Sequence, residues 1–203
     1  MSTITKPITV AEYDRMIEDG TIGEDDPVEL IEGVLVPKMP RNPPHRVGTR
    51  KTAKALERMV PAGWYVAVQE AIVIELESKP EPDVSVVPAE LEFDATRDPL
   101  AAECCLVVEV ADSSLEYDRT KKLALYAAAG IPVYWIVNLI DRVVEVYSSP
   151  IAGAYPARKV LGETGSVDLV IDGQVVGTIA VADLLPQHQP ERKPCNPPTS
   201  AAP

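Results

Sequence analysis

The chain has 203 residues and a formal net charge of −12 at pH 7, so it is long enough for one domain with a sizeable core. The acidic balance argues against a protein that coats nucleic acid through bulk electrostatics, although a local basic face can still contact phosphates. The three cysteines make neither a disulfide framework nor a zinc spacing, and no apolar run approaches the roughly 18 residues of a membrane span. We therefore expect a cytoplasmic protein without a membrane segment.

The first third of the chain predicts a helix, a hairpin and a second helix. Residues 9–19 open with a threonine, and Glu12 follows it by three positions, which is capping-box spacing. Residues 28–37 (VELIEGVLVP) contain two short apolar arms around a glycine, which is typical of a β-hairpin. The proline-rich segment 39–44 disfavours helix and central strand, so the second helix is predicted over residues 45–60.

One face of the second predicted helix is basic, because Arg46, Arg50, Lys54 and Arg58 recur every four residues. Its core-facing side is predicted to comprise Thr49, Thr52, Ala53, Leu56 and Val60. The simpler interpretation of the basic stripe is a solvated face, and the alternative is a surface that contacts phosphates. It is the one concentrated basic surface that the sequence offers.

The middle of the chain contains strand-like segments. Residues 64–75 have strand composition throughout, and residues 83–87, which open on Asp83, follow a turn. Residues 106–110 (LVVEV) form an apolar, β-branched run of the kind that is covered on both faces, with Glu109 as its single carboxylate. A lone ionised carboxylate in such a strand is costly unless a cation, a metal or hydrogen-bond donors meet it.

A helix is predicted directly after this strand and ends at Gly130, since glycine is common just beyond a helix. Ser113 and Glu116 have capping-box spacing at its start. Residues 134–137 predict the next buried strand. The unit is therefore expected to be a right-handed strand–helix–strand crossover with parallel strands.

The predicted helix carries Asp118, Lys122 and Tyr126 on one face, so that Lys122 can face Glu109 across the helix–sheet interface. Asp83 and Glu109 both lie at strand ends, and two carboxylates brought together repel unless a divalent cation lies between them. Oxygen ligands select Mg²⁺ or Mn²⁺. Such an ion with a nearby lysine provides the chemistry of phosphodiester hydrolysis.

The C-terminal part of the chain predicts further strands and a tail. Residues 142–148, 167–171 and 175–179 are expected to be antiparallel strands at a sheet edge. Residues 186–203 are proline-rich and predict a disordered tail whose Cys195 is a free thiol without a role. The domain is therefore expected to span residues 1–185, and loss of the tail to leave its stability unchanged.

Three segments together resemble a known family: PEPD (80–83), LVVEV (106–110) and YDRTKKLALYAAAGIPVYWIVN (117–138). They are similar to the Uma2 (DUF820) family, whose fold resembles that of the PD-(D/E)XK restriction-endonuclease-like nucleases. VELIEGVLV (28–36) and the Pro-His pair at 44–45 also resemble the family's N-terminal motifs. The resemblance implies an α/β domain with a mixed central β-sheet flanked by helices.

The resemblance also implies a metal site. Asp83 and Glu109 would be ligands of Mg²⁺ or Mn²⁺, and the Val110 carbonyl would be a third ligand. The residue two positions after Glu109 is Ala111, where the superfamily has a lysine. Lys122 on the following helix is therefore expected to take the part of the catalytic lysine.

Glu29 and His45 are further candidates for catalytic residues, because the resemblance puts their motifs near the catalytic cleft. The chain departs from many relatives at Val133 and Asn138, where acidic residues are expected. These departures concern the surroundings of the site and leave the metal ligands in place.

The sequence thus favours a Mg²⁺-dependent endonuclease that acts on nucleic acid, with DNA as the first candidate substrate and a homodimer as one option for its assembly. An alternative is a catalytically silent nuclease-like domain that serves as a binding or assembly module, in which Glu109 and Lys122 form only a structural salt bridge. Asp83 would then be an ordinary residue at the start of a strand. A third interpretation is a metal-dependent hydrolase of small phosphoesters.

Overall fold

The structure is a computed structural model that describes residues 6–23 and 26–187. In chain order its helices and strands are α1 (Val10–Glu18), β1 (Val28–Ile31), β2 (Val34–Pro37), α2 (Pro43–Glu57), β3 (Trp64–Val68), β4 (Val84–Pro88), β5 (Leu106–Ala111), α3 (Leu115–Tyr117), α4 (Leu123–Ala128), β6 (Val133–Asn138), β7 (Val143–Ser148), β8 (Ala157–Gly162), β9 (Ser166–Ile171), β10 (Gln174–Ala180) and α5 (Val181–Leu184). A π-helical turn, Asp118–Lys122, joins α3 to α4. We call the continuous run of residues 115–128 the central helix.

Six strands form a central mixed sheet in the order β3-β4-β5-β6-β7-β8. β5 and β6 run parallel, joined by the central helix, and the other neighbouring pairs of this sheet are antiparallel. This arrangement confirms the predicted α/β fold with a mixed central sheet flanked by helices. It also confirms the predicted parallel crossover, which places the central helix against the sheet next to Glu109.

One face of the sheet is covered by α2, by α5 and by a separate antiparallel sheet of β9 and β10. Alternate residues of β9 point into this core, as the period of two in a strand requires. The largest fully buried side chains of this layer include Leu56, Leu106, Trp135, Leu169 and Leu184. The sequence predicted β9 and β10 as edge strands of the main sheet, which is wrong, because their apolar face packs on that sheet instead of extending it.

The other face of the sheet is covered by the central helix and by the loop that follows β3. Tyr126 of the helix and Tyr134 of β6 are fully buried there, and their ring centroids lie 5.0 Å apart. Ile72 and Ile131 complete the same layer. Two packed apolar layers therefore enclose the β5 strand from both sides, as its apolar, β-branched run predicted.

The N-terminal elements form in the predicted order, with bounds that differ by up to three residues. Thr9 accepts a hydrogen bond from the Glu12 backbone at 3.2 Å, and the Glu12 carboxylate accepts one from the Thr9 backbone at 2.9 Å, which completes the capping box. β1 and β2 form the predicted hairpin. α2 begins at Pro43, two residues before the predicted start, because Asn42 caps it and prolines are tolerated in a first turn.

Two local predictions are wrong, and one strand of the structure was not predicted. The strand predicted over residues 64–75 ends at Val68, because Gln69 turns the backbone with φ +58°. The capping box predicted for Ser113 does not form, and the neighbouring Ser114 donates to the Asp118 carboxylate at 2.6 Å instead. The sequence did not predict β8, because nearly all residues of this strand are exposed and they do not alternate between apolar and polar.

The remaining predictions concern the ends of the chain and its cysteines. Cys104 and Cys105 are buried free thiols. In the described part of the chain no helix has both the length and the apolar character of a membrane span. The predicted tail lies outside the described residues from position 188 onward, and so does Cys195.

Candidate active site

A cavity of about 170 Å³ opens between the N-terminal hairpin, the start of α2, the central sheet and the central helix. It is lined by all five side chains that the sequence singled out as catalytic, namely Glu29, His45, Asp83, Glu109 and Lys122. These residues come from β1, α2, the residue before β4, β5 and the π-helical turn. Positions up to 93 residues apart in the chain thus meet at one place.

The pairing of β4 with β5 brings Asp83 next to Glu109. Val84 lies opposite Val108 in this antiparallel pair, so the preceding and following positions are opposite each other. The Asp83 carboxylate accepts a hydrogen bond from the Val110 backbone N–H at 2.9 Å. The predicted approach of the two carboxylates is therefore a consequence of strand register.

Hydrogen-bond donors surround the Asp83 carboxylate. His45 Nε2 lies 3.0 Å from one of its oxygens and Gln69 Nε2 lies 3.2 Å from the other. Burial alone would raise the pKa of Asp83, but His45, the Val110 N–H and Gln69 outweigh it and hold the pKa below its ordinary value. Asp83 is therefore ionised at neutral pH, and His45 must be the donor in their contact.

Lys122 lies between two carboxylates. Its Nζ is 2.9 Å from Glu29 Oε2 and 3.2 Å from Glu109 Oε1, and all three side chains are buried. Tyr126 also donates to Glu109, at 2.7 Å. Burial alone would lower the pKa of Lys122, but Glu109 and Glu29 raise it above its ordinary value, so the ammonium stays charged.

The carboxylates of the cavity outnumber the positive charges near them. Burial raises the pKa of Glu109 to about 8 in spite of the attraction of Lys122. Burial likewise raises the pKa of Asp118, another residue that lines the cavity, to about 6. Burial away from water is the main cause of both raised pKa values, so the folded site disfavours these two negative charges when no positive charge is added nearby.

The family model described as "Uma2: Putative restriction endonuclease" matches residues 10–182. The chain belongs to the Uma2 family. A solved structure described as the crystal structure of "a putative nuclease belonging to DUF820" from Anabaena variabilis ATCC 29413 is similar in fold, with a TM-score of 0.68 over 88% of this chain and 97% of that chain. The two sequences are 18% identical, so this likeness shows the fold alone. Among curated proteins no sequence matches the chain.

The two positions at which acidic residues were expected do not line the cavity. Val133 belongs to the apolar layer beneath α2. The Asn138 side chain is buried at the end of β6, where its oxygen accepts the backbone N–H groups of Ile140 at 3.0 Å and Asp141 at 2.9 Å. An amide at this position thus holds the β6–β7 turn and does not change the residues that face the cavity.

Further residues belong to the site besides the five that the sequence predicted as catalytic. Asp118 lines the cavity, in keeping with the face that it shares with Lys122 in the predicted helix. Arg41 also lines the cavity and donates to Gln69 at 2.8 Å. Nothing in the local sequence marks Arg41 or Gln69, because their contacts depend on the turn after β3.

The oxygen-rich lining is the donor set that Mg²⁺ and Mn²⁺ prefer. Among the described residues, however, no three His, Cys, Asp or Glu side chains form a group ready to enclose an ion. Mg²⁺ usually keeps several waters and takes only one or two protein carboxylates together with substrate phosphates. The cavity can therefore satisfy that limited requirement with Asp83 and Glu109.

Proposed function

We propose that this Uma2-family chain is a Mg²⁺- or Mn²⁺-dependent endonuclease that hydrolyses phosphodiester bonds of DNA at the cavity. The observation that carries the proposal is the meeting of Asp83, Glu109 and Lys122, with Asp83 2.9 Å from the Val110 N–H and Lys122 3.2 Å from Glu109. The printed description of the family, "Putative restriction endonuclease", supports the nuclease class. The DNA substrate, the ion and the roles of the residues are our inference from the cavity.

Asp83 and Glu109 are the proposed metal ligands, with the Val110 carbonyl as the third. Their chemistry fits a hard cation, because in the described part of the chain Glu109 Oε2 receives no hydrogen bond and remains available. When bound, the ion would lower the pKa of a water molecule and stabilise negative charge on the phosphate. The protein residues then have to hold the ligands and place the phosphate.

Lys122 is proposed to stabilise negative charge on the phosphate and not to act as a base. A base must give up its proton near neutral pH, and the raised pKa of Lys122 prevents this. Glu29 has a supporting part, because its contact at 2.9 Å gives Lys122 a second carboxylate partner. Lys122 therefore keeps Glu29 as a partner when the Glu109 carboxylate binds a cation.

His45 is proposed to orient Asp83. Its Nε2–H donates to the carboxylate at 3.0 Å, and Gln69 and the Val110 N–H fix the remaining directions. A ligand held from three sides keeps its geometry when the substrate arrives, which is how residues behind a metal ligand usually act.

The silent binding module remains the second candidate, and a specific observation favours it. Glu109, Lys122 and Glu29 already satisfy one another by hydrogen bonds without any ion. A buried ion pair of this kind also occurs as a purely structural feature. Only metal binding and cleavage separate the two functions.

The deciding experiment combines calorimetric titration of Mg²⁺ and Mn²⁺ with cleavage of duplex DNA, for the wild type, Asp83→Asn and Lys122→Met. Asp83→Asn should weaken metal binding and abolish cleavage. It should also cost about 1–3 kcal/mol of stability, since its amide would face the N–H groups that now donate to Asp83. Asp183→Asn, which removes one exposed carboxylate elsewhere, is the matched control and should change neither property.

Lys122→Met should lose cleavage but keep metal binding. Without its ammonium the Glu29 and Glu109 carboxylates are buried and unpaired, at a cost of about 3–5 kcal/mol. A divalent ion can offset that charge, so adding Mg²⁺ should raise the melting temperature of the variant more than that of the wild type. If the wild type neither binds a metal ion in the titration nor cleaves DNA, the proposed endonuclease activity is wrong. The contacts of Lys122 with Glu29 and Glu109 are then a structural salt bridge.

A further inference from the structure

The basic face of α2 lacks acidic partners, whereas most other basic side chains of the described chain have one. Arg46, Arg50 and Lys54 are exposed, and in residues 6–23 and 26–187 no carboxylate lies within ion-pair distance of them. Elsewhere the long basic side chains are typically paired, as Arg97 is with Glu103 at 2.7 Å. Unpaired cations in a chain of net charge −12 leave a local positive potential.

These side chains line a groove and do not merely cover a convex surface. The groove has a volume of about 380 Å³ and lies between α2 and the end of β3. Its floor includes Thr49 and Ala53, and Gln69 forms one end. Glu57, in the last turn of α2, is the acidic residue of its lining.

Gln69 connects the groove with the candidate active site. Its amide nitrogen donates to Asp83 at 3.2 Å, and its amide oxygen accepts from Arg41 at 2.8 Å. Its φ of +58° is uncommon for a residue with a long side chain, and such backbone conformations cluster at functional sites. The turn at Gln69 therefore forms a shared wall between groove and cavity.

Arg41 extends the row of free positive charge into the cavity. The two lysines of the cavity already have acidic partners. Lys38 is 2.5 Å from Glu81, and Lys122 contacts two carboxylates. Arg41 is exposed, and its partner is the uncharged amide of Gln69. Its guanidinium thus keeps its charge for an anion at the mouth of the site.

The spacing of the row fits a polyanion. Residues four apart on an α-helix are separated by about 6 Å along its axis, so that Arg46 and Lys54 are about 12 Å apart. One strand of duplex DNA advances about 3.4 Å along the duplex axis per nucleotide, so three cations spread over this length can each contact a different phosphate. Lys51 does not belong to the row, because its Nζ donates to the backbone carbonyls of Ala182 at 3.0 Å and Leu185 at 2.6 Å.

We propose that Arg46, Arg50 and Lys54, continued by Arg41 at the cavity, form a track that binds the sugar-phosphate backbone of DNA and leads it to the active site. That the track leads toward the cavity rests on the proposed function, in which the cavity is the site of cleavage. The contacts are to phosphates, so they position the DNA and do not read its sequence.

The test measures duplex DNA binding by the full-length chain in EDTA, where no cleavage interferes, between 50 and 200 mM salt. The variant Arg46→Gln/Arg50→Gln should flatten the dependence of log K on log salt by about two units. The wild type should then lose roughly tenfold more affinity over this salt range than the variant. The matched control is Arg15→Gln/Lys159→Gln, which removes two exposed cations of α1 and β8, outside α2. It should keep the wild-type slope.

An unchanged slope in the track variant would overturn the proposal, as would an equal loss of slope in the control, which would indicate bulk electrostatics. A wild type that binds no DNA over this range would also overturn it. Failure of the catalytic proposal looks different. Binding that depends on the track but is followed by no cleavage with Mg²⁺ or Mn²⁺ would remove the proposed activity and leave the track as the interface of a binding module.

Discussion

Glu145 shows how a single buried charge is stabilised away from the cavity. This β7 residue is fully buried and accepts hydrogen bonds from Arg119 at 2.9 Å, Tyr147 at 2.8 Å, Asn138 at 3.3 Å and Arg158 at 2.9 Å. Burial alone would raise the pKa of Glu145, but these donors outweigh it and lower the pKa. The carboxylate thus connects the end of the central sheet to the π-helical turn that carries Arg119.

Glu145→Gln should destabilise the protein in a pH-dependent manner. Because the folded pKa is below the unfolded value of about 4.3, the stabilisation is fully present above that pH and is lost as the pH falls through the folded pKa. At pH 7 the variant should be less stable by about 2 kcal/mol, the value of charge-assisted hydrogen bonds. Urea unfolding at pH 7 and pH 3.5 should show the difference shrink in acid. Glu18→Gln, on the exposed side of α1, is the control, and a pH-independent difference for Glu145→Gln would contradict the prediction.

At the residue scale, the sequence could identify charges that are costly to bury but not their partners. Glu109 was recognisable because every neighbour in its strand is apolar, and Lys122 because helical spacing placed it opposite. Repulsion was expected to dominate at Asp83, yet its lowered pKa shows that donors decide its charge. Those donors include Gln69, whose position depends on a turn with positive φ that no sequence pattern indicates.

Among the elements, α2 helps to set the geometry of the site, because it carries His45 and packs directly on β5. Gly48 allows this close contact. A Cβ at this position would lie 2.8 Å from Val110 Cγ1 and 3.3 Å from Leu139 Cδ2. Val110 is fully buried and its branched side chain is stiff, so it cannot readily move away.

Gly48→Ala should therefore destabilise the protein, although alanine favours a helix by about 1 kcal/mol over glycine. Overpacking costs about 1–3 kcal/mol, so we expect a net loss of about 1 kcal/mol in chemical denaturation. The affinity for Mg²⁺ should also fall, because the Val110 N–H holds Asp83 at 2.9 Å. Val47→Ala, at an exposed neighbouring position, isolates the change in helix propensity. A Gly48→Ala variant as stable as the wild type would show that α2 shifts without cost.

The elements with one apolar stripe were predictable, and those without one were not. α1, α2 and the β1–β2 hairpin each have caps or turn residues that agree with their apolar pattern. β8 has exposed residues at nearly every position and forms because β7 offers it an edge. No feature of the sequence predicted the π-helical turn. Such turns inside α-helices are frequent at functional sites.

For the whole molecule, the layers on the two faces of the sheet depend on contacts between distant segments. The sequence predicted β9 and β10 as a hairpin, but it could not indicate whether the hairpin extends the sheet or covers it. Both arrangements bury one apolar face, and the choice depends on α2 and α5, which enclose the same core. The predicted boundary at residue 185 stays a prediction, and just beyond it the Pro186 carbonyl accepts a hydrogen bond from Arg142 at 3.1 Å.

A pair of truncations tests this boundary. A chain that ends after Gln187 should melt within about 1 °C of the full-length protein, because residues 188–203 are too poor in apolar side chains to add to the core. A chain that ends after Ala180 loses α5 with Val181, Leu184 and Leu185, which are buried to at least 99%. At about 1.5–3 kcal/mol for each side chain, this loss is comparable to the whole stability of a small domain.

We expect the shorter chain to be unfolded or to melt at least 10 °C lower by circular dichroism. A large drop already after Gln187 would show that the last 16 residues belong to the folded domain, and a stable chain after Ala180 would show that α5 does not complete the core.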